Sequence, residues 1–185
     1  MRLIRPSRFG DARGWFAETY HAARYAQLGV DAVFCQDNHV LSRAAGVLRG
    51  LHFQRPPHAQ AKLVRCVRGR IWDVAVDIRV GSPTYGEWAG AELDADSGVQ
   101  VFVPIGFAHG YLTLEPNTEV EYKVSEYYAP ASEGGVVWND PDVAVRWPLA
   151  DRALILSDKD RRLPRLAQLG SPFAYDGAPF LPLQP

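Results

Sequence analysis

The stretch Gly46 to Arg65, GVLRGLHFQRPPHAQAKLVR, concentrates side chains that could move protons or hold charge. Arg49, Arg55, His52, His58 and Lys62 fall on or between two runs rich in Leu, Val and Phe. The composition of those runs, Leu48 to Phe53 and Leu63 to Val67, predicts strands. Pro56-Pro57 has no amide hydrogen to give to a ladder and marks the link between them. A buried strand carries apolar residues at alternate positions, yet His52 takes one of these positions and Lys62 opens the next strand. Imidazole titrates near neutral pH and can take and return a proton. A lysine beside it can stabilise a developing oxyanion. A base and a cation at adjacent strand ends suggest a pocket floor. A partly buried histidine and a surface lysine explain this stretch alone equally well.

A catalytic histidine needs a carboxylate to orient it, and Asp73, Asp77, Asp140, Asp158 and Asp160 all qualify by composition. A proton delivered from the opposite side calls for a tyrosine, and spacing does not choose among Tyr111, Tyr122, Tyr127 and Tyr128. Metal chemistry on a β-scaffold usually needs two histidines two residues apart on one strand face, with a carboxylate and a further histidine. Here Phe53-Gln54 follows His52, and His109 stands alone in GFAHGY, so the pattern argues against a metal. Arg13, Arg49 and Lys159 could meet a phosphorylated ligand if folding gathers them, but there is no Gly-rich phosphate loop of the dinucleotide or Walker type. Arg49 and His52 differ in strand parity, so a regular strand would send them to opposite faces. A bulge at Gly50 is the expected way to bring both to one pocket.

The elements that must position these groups are mostly strands. Arg2 to Phe9 reads as an edge strand interrupted by Pro6, DARG (Asp11 to Gly14) as a turn, and His21 to Leu28 as a helix capped by Gly29. Val33 to His39 reads as strand then turn, and Gly69-Arg70 as a hairpin-like break. In IWDVAVDIR (Ile71 to Arg79), Asp73, Ala75 and Asp77 share one face and Trp72, Val74, Val76 and Ile78 the other. Further strands are expected at Trp88 to Leu93, Val99 to Pro104, His109 to Leu114, Glu119 to Tyr128 and, within Asp140 to Pro148, VAVRW. From Asp151 the chain turns polar and possible helix follows; Gly170 to Pro185 reads as an extended tail. Turn signals recur about every 8 to 12 residues, the mark of an all-β sandwich or barrel.

The 185 residues suit one domain spanning 1–185. A net charge of -1 gives no electrostatic case for nucleic acid. No apolar run reaches membrane-spanning length, and the start MRLIRPSRFGDARG lacks a signal-peptide core. With no export signal, Cys35 and Cys66 are expected to stay reduced in the cytoplasm.

The blocks QDNH (Gln36 to His39), GVLRGLHFQ (Gly46 to Gln54), QAKLVR (Gln60 to Arg65), DVAVDIR (Asp73 to Arg79), SPTYGEW (Ser82 to Trp88), PIGFAHGY (Pro104 to Tyr111), EYYAPASEGG (Glu126 to Gly135), WNDP (Trp138 to Pro141) and LSDKD (Leu156 to Asp160) occur in that order. Together they resemble the dTDP-4-dehydrorhamnose 3,5-epimerase family of the L-rhamnose nucleotide pathway, from about Phe9 to Leu166. The resemblance implies a jelly-roll β-sandwich of the cupin type with a few short helices, no metal or other cofactor, and a homodimer with exchanged N-terminal segments. By resemblance His52 is the proton-abstracting base, Asp160 its carboxylate partner, Lys62 the cation near the keto oxygen and Tyr122 the proton donor on the far face. His109 matches a second pocket histidine, oriented by Asp73. Arg13, Glu18, Gln36, Asp37, Asn38, Arg49, Glu133 and Lys159 match substrate-binding positions, and Tyr128 the aromatic that stacks on thymine. Trp15, Tyr85 and Tyr111 stand where other aromatics are common. The implied reaction inverts C3 and C5 of dTDP-4-dehydro-6-deoxy-D-glucose to give dTDP-4-dehydro-L-rhamnose. The rival readings are a single-site epimerase or a 3,4-ketoisomerase on a related dTDP-keto sugar, a metal-dependent cupin dioxygenase, and a non-catalytic nucleotide-sugar binding protein.

Overall fold

Alternating apolar residues build two facing antiparallel sheets in the computed structural model, which describes residues 1–149, 151 and 153–180. The first sheet has the order β1 (Arg2–Ile4), β9 (Gln100–Val103), β6 (Lys62–Arg68), β11 (Thr118–Val124), β4 (Gln36–Ser42). The second has the order β12 (Glu133–Gly135), β5 (Leu48–Gln54), β10 (Phe107–Thr113), β7 (Arg70–Asp77), β8 (Trp88–Asp94). A separate hairpin pairs β2 (Arg8–Asp11) with β3 (Gly14–Ala17). The two α-helices among the described residues, α1 (Ala22–Gln27) and α2 (Asp158–Arg161), are short. This is a cupin-like all-β sandwich, as expected.

The sandwich is buried in three layers. Between the sheets, Val64, Cys66, Val101, Val103 and Val120 meet Ile71, Ala75, Leu93, Phe107 and Tyr111. Outside the first sheet, Tyr25 and Val30 around α1 cover Leu63 and Phe102. Outside the second sheet, Leu51, Phe53, Val74, Val76, Ile78, Ala108 and Leu112 are covered by Val136, Val143, Trp147, Leu166, Leu169 and Phe173 of the C-terminal region. Both faces of β7 and β10 are therefore largely covered, so a polar residue there is costly unless it finds a protein partner.

Several elements differ from the sequence reading. Gly69 does not turn a hairpin: β6 and β7 lie in different sheets, and Gly69 (φ 73°) carries the chain across. Its hydrogen faces Thr118, whose Oγ1 would sit 2.5 Å from a Cβ there. QDNH lies within β4 rather than in a turn. VAVRW forms no strand; Asp140 holds its first two amides, with Val143 N donating to Oδ1 at 3.4 Å and Ala144 N to the Asp140 carbonyl at 2.8 Å. The same carboxylate accepts from Asp142 N at 2.8 Å and from Leu166 N at 2.6 Å. The tail is extended but anchored. Val80 N donates to Phe173 O at 2.8 Å, Arg79 Nη1 donates to Ala178 O at 2.8 Å, and the Phe180 ring lies 5.4 Å from that of Phe107. Residues 181–185 of the expected tail lie outside the described residues.

The expected bulge is present in β5. His109 of β10 pairs with His52, but Tyr111 pairs with Arg49, so two residues of β5, Gly50 and Leu51, stand against one of β10, Gly110. Gly50 (φ 134°) has no room for a side chain: a Cβ would lie 2.5 Å from Gly110 Cα and 3.0 Å from His109 O. Gly110 is equally confined, with Arg49 O 2.7 Å from its would-be Cβ. Gly50→Ala must part these backbones and adopt an unfavourable φ, so we expect a loss of roughly 3 kcal/mol. Thermal unfolding checks this, and an unchanged Tm would show that the ladder tolerates a side chain at Gly50.

Candidate active site

The bulge turns the inner face of the second sheet into a grid of functional groups. In one rung, His52, His109 and Ala75 lie side by side; in the next, Arg49, Tyr111 and Asp73 do. Facing them on the first sheet, Lys62 of β6 and Tyr122 of β11 point into the same space, with Tyr122 paired between Asn38 and Val64. The resulting cleft has a volume of about 550 Å³. Its lining includes Arg49, His52, Lys62, His109, Tyr122 and Asp160, with Glu133 and Lys159 at the side. A smaller extension of about 120 Å³ shares His52, Lys62, Tyr122 and Glu133 and adds Gln36, Asn38 and Tyr128.

His52 reaches Asp160 across 108 positions of sequence, with Nε2 2.5 Å from Oδ1. The chain returns to β5 because Leu48 N donates to Ile155 O and Ile155 N to Gly46 O, at 2.9 and 2.8 Å. Ser157 then caps α2, its Oγ accepting from Asp160 N at 3.1 Å. Burial alone would raise the Asp160 carboxyl; His52, Ser157 and Lys159 outweigh it and hold the group below its ordinary value. A carboxylate only accepts, so Nε2 carries the hydrogen and the lone pair of neutral His52 falls on Nδ1.

The second histidine is held the same way. His109 Nε2 lies 2.8 Å from Asp73 Oδ2, and both side chains are buried. Burial pulls the Lys62 ammonium down to about 8, against an upward pull from Asp73 and Glu133. Burial also raises the Tyr122 phenol, with Arg49 drawing it partly back. Each histidine is engaged by a carboxylate, and among the described residues no three His, Cys, Asp or Glu side chains gather as metal ligands would.

The remaining expected residues divide by location. Gln36 Nε2 donates to Asn38 Oδ1 at 3.0 Å, and Gln36 Oε1 accepts from Tyr128 N at 3.1 Å, so this pair steadies the Tyr128 loop. Lys159 pairs with Glu133 at 2.8 Å on the rim. Three of the expected residues lie away from the cleft in this chain. Asp37 alternates with Gln36 and Asn38, faces outward and pairs with Lys123 at 2.9 Å. Arg13 sits on the β2–β3 hairpin, paired with Asp11 at 2.5 Å, and Glu18 pairs with Arg24 at 2.8 Å.

Two supporting residues were not singled out in the sequence. Gln54 is buried and spans the loop that carries Tyr128, donating to His58 O and Tyr127 O at 2.7 and 3.1 Å and accepting from Ala129 N at 2.8 Å. Ser157 could have been found from its place ahead of DKD, a capping signal. Gln54 had only its place in a quoted block.

The sequence profile described as dTDP-4-dehydrorhamnose 3,5-epimerase matches residues 1–168. An enzyme of that name from Sinorhizobium fredii is 47% identical over 175 residues, covering 95% of this chain and 89% of its own. The crystal structure of a dTDP-4-dehydrorhamnose 3,5-epimerase from Bacillus anthracis, with TDP and PPi bound, superposes with a TM-score of 0.85 at 50% identity, covering 88% of this chain and 92% of that one. A dTDP-6-deoxy-D-glucose-3,5-epimerase from Legionella pneumophila, in complex with dTDP-4-keto-L-rhamnose, gives a TM-score of 0.85 at 43% identity, covering 90% and 88%.

The lowered Asp160 carboxyl makes the His52–Asp160 pair pH-dependent. Its folded pKa lies below its unfolded one, so the pair stabilises the fold above the ordinary carboxylate range. That contribution is lost as pH falls through the folded value. Asp160→Asn removes the titration, so it should cost about 1–3 kcal/mol at neutral pH. The gap in Tm between the two proteins should narrow as pH falls below about 4. A gap that is constant with pH would mean that Asp160 carries no such linkage.

Proposed function

The chain belongs to the dTDP-4-dehydrorhamnose 3,5-epimerase family, and on that premise we propose that it inverts C3 and C5 of dTDP-4-dehydro-6-deoxy-D-glucose to give dTDP-4-dehydro-L-rhamnose. The observation that carries the reading is the opposition of His52 and Tyr122 on facing sheets across one cleft. Inversion needs a base on one face of a carbon and an acid on the other, and a ring lying between the sheets meets both.

In a 4-keto sugar, C3 and C5 both adjoin the carbonyl, so their protons are acidic. His52 takes a proton through Nδ1, and Asp160 stabilises the imidazolium that forms. The C–H electron pair moves into the ring and the carbonyl electrons onto O4, giving an enolate that Lys62 stabilises. Tyr122 then protonates the same carbon from the opposite side. The step repeats at the second carbon, and no electrons leave the substrate. The nucleotide supplies the binding energy that fixes the ring. Tyr128 stacks on the base and Arg49 meets the diphosphate.

The working enzyme is a homodimer whose N-terminal hairpins reach the partner's cleft. Supporting this, Phe9, Trp15 and Phe16 of the hairpin are 66%, 60% and 70% exposed, far more than a soluble monomer needs of three aromatics in one element. It would also bring Arg13 and Glu18, remote within one protomer, to a substrate. The free thiols Cys35 and Cys66 suit the reducing cytoplasm.

The reading is tested by NMR of dTDP-4-dehydro-6-deoxy-D-glucose with the enzyme in D2O. Deuterium should enter at both C3 and C5, with inversion at both; inversion at a single carbon would make this a mono-epimerase. His52→Asn should slow exchange at both carbons by about 10²–10⁴-fold, and wild-type exchange in that variant would put the base elsewhere. Sedimentation equilibrium should give a dimer, with an interface above about 2,000 Å² if the hairpins exchange. A fully active monomer would overturn the shared site.

A further inference from the structure

Tyr111 lines the cleft, yet the reaction above gives it no task. It is buried between the sheets, and its hydroxyl has no hydrogen-bond partner among the described residues. A ring that only filled the core would do so better as phenylalanine, because an unpaired buried hydroxyl costs stability. Tyr111 stands beside Arg49 in its rung and packs in the same inter-sheet cluster as Tyr122, which reaches in from the facing sheet. Resting on the reading of Tyr122 as the acid, we propose that Tyr111 is a positioning residue for the protonation step: its phenol donates a hydrogen bond to the Tyr122 oxygen once Tyr122 has given up its proton.

The chemistry creates the need. When Tyr122 protonates the substrate carbon, the enolate electron pair forms the new C–H bond and the O–H pair stays on Tyr122 as a phenolate. That anion forms in a site where burial already resists it. Two neighbours can offset the cost: the Arg49 guanidinium, which favours the ionised form of both tyrosines, and a neutral phenol that can donate. Burial and the neighbouring Tyr122 and Asp73 raise Tyr111 well above an ordinary phenol, so it stays protonated when Tyr122 does not. After the step, Tyr122 regains its proton from solvent.

The test compares Tyr111→Phe and Tyr122→Phe with wild type, using the same D2O NMR assay and thermal unfolding. Tyr122→Phe should exchange C5 with retention while L-configured product falls sharply. Tyr111→Phe should be at least as stable as wild type, since it removes only an unpaired hydroxyl. Its ratio of inversion to exchange should fall about tenfold, the worth of one hydrogen bond to a charged group. The limb of its pH–rate profile set by the acid should move to higher pH, because the phenolate has lost a donor. Unchanged inversion ratio and pH limb in Tyr111→Phe, with Tyr122→Phe defective, would overturn this proposal alone. A parallel loss of exchange, inversion and Tm would make Tyr111 structural and also overturn it. Normal inversion in Tyr122→Phe would remove the acid assignment itself and this proposal with it.

Discussion

The site depends on one misfit in a ladder. Without the extra residue in β5, Arg49 and His52 could not share a face, and the inner wall would lose either its histidine or its arginine. The misfit requires two backbones closer than any side chain allows, and Gly50 meets Gly110 at that point. The geometry of the chemistry is thus fixed in main chain, before any side-chain hydrogen bond forms. The bulge also keeps Leu51 and Phe53 on the outer face, within the layer sealed by the C-terminal region. That seal matters for the same reason: β5 and β10 can present histidines inward only if their outer faces hold the sheet in place.

Burial on both sides makes each inner polar group costly unless paired, and the site meets this in two distinct ways. His52 and His109 each spend one ring nitrogen on a buried carboxylate, which fixes the tautomer and leaves the other nitrogen free. The two pairs are assembled differently. His109 and Asp73 sit on adjacent strands, so the sheet itself aligns them. His52 and Asp160 meet only because a returning segment bridges to Gly46 and Leu48 and is stopped by Ser157. The second arrangement depends on tertiary structure alone, not on the pairing of neighbouring strands.

Much of this was legible in the sequence, for physical reasons that can be named. Alternation in β7 sorted its residues onto two faces correctly, because period-2 patterning survives even where both faces are buried; that the Asp73 face is the inner one came from the packing. The parity conflict between Arg49 and His52 predicted the bulge, and a glycine between them said where. Alternation in VAVRW misled, because Asp140 holds the first two amides of the run, Val143 N on its carboxylate and Ala144 N on its carbonyl. Gly69 misled as well: a left-handed glycine between strands reads as a hairpin, and only the pairing of distant strands reveals a change of sheet. No local pattern could pick Asp160 from five aspartates, or Tyr122 from four tyrosines; the family resemblance made those choices. The same resemblance grouped Asp37 with Gln36 and Asn38, although alternation in a strand sends it to the other face.

On the proposed mechanism, Lys62 matches the cleft to the enolate rather than to the resting state. A buried ammonium without an ion-pair partner is poorly solvated, which pulls Lys62 down to about 8. Asp73 and Glu133 pull it back upward, enough to keep the group mostly charged at neutral pH. Neither forms a salt bridge with it among the described residues. Asp73 is committed to His109 and Glu133 to Lys159. The cation therefore waits in a field too weak to satisfy it. A neutral carbonyl oxygen improves matters little, whereas an enolate oxygen supplies the missing charge. The interaction is stronger with the intermediate than with the ground state, which is the condition for binding energy to lower a barrier. On that mechanism a direct Lys62–Asp73 bridge would weaken catalysis, because the enolate would then have to displace a carboxylate already in place.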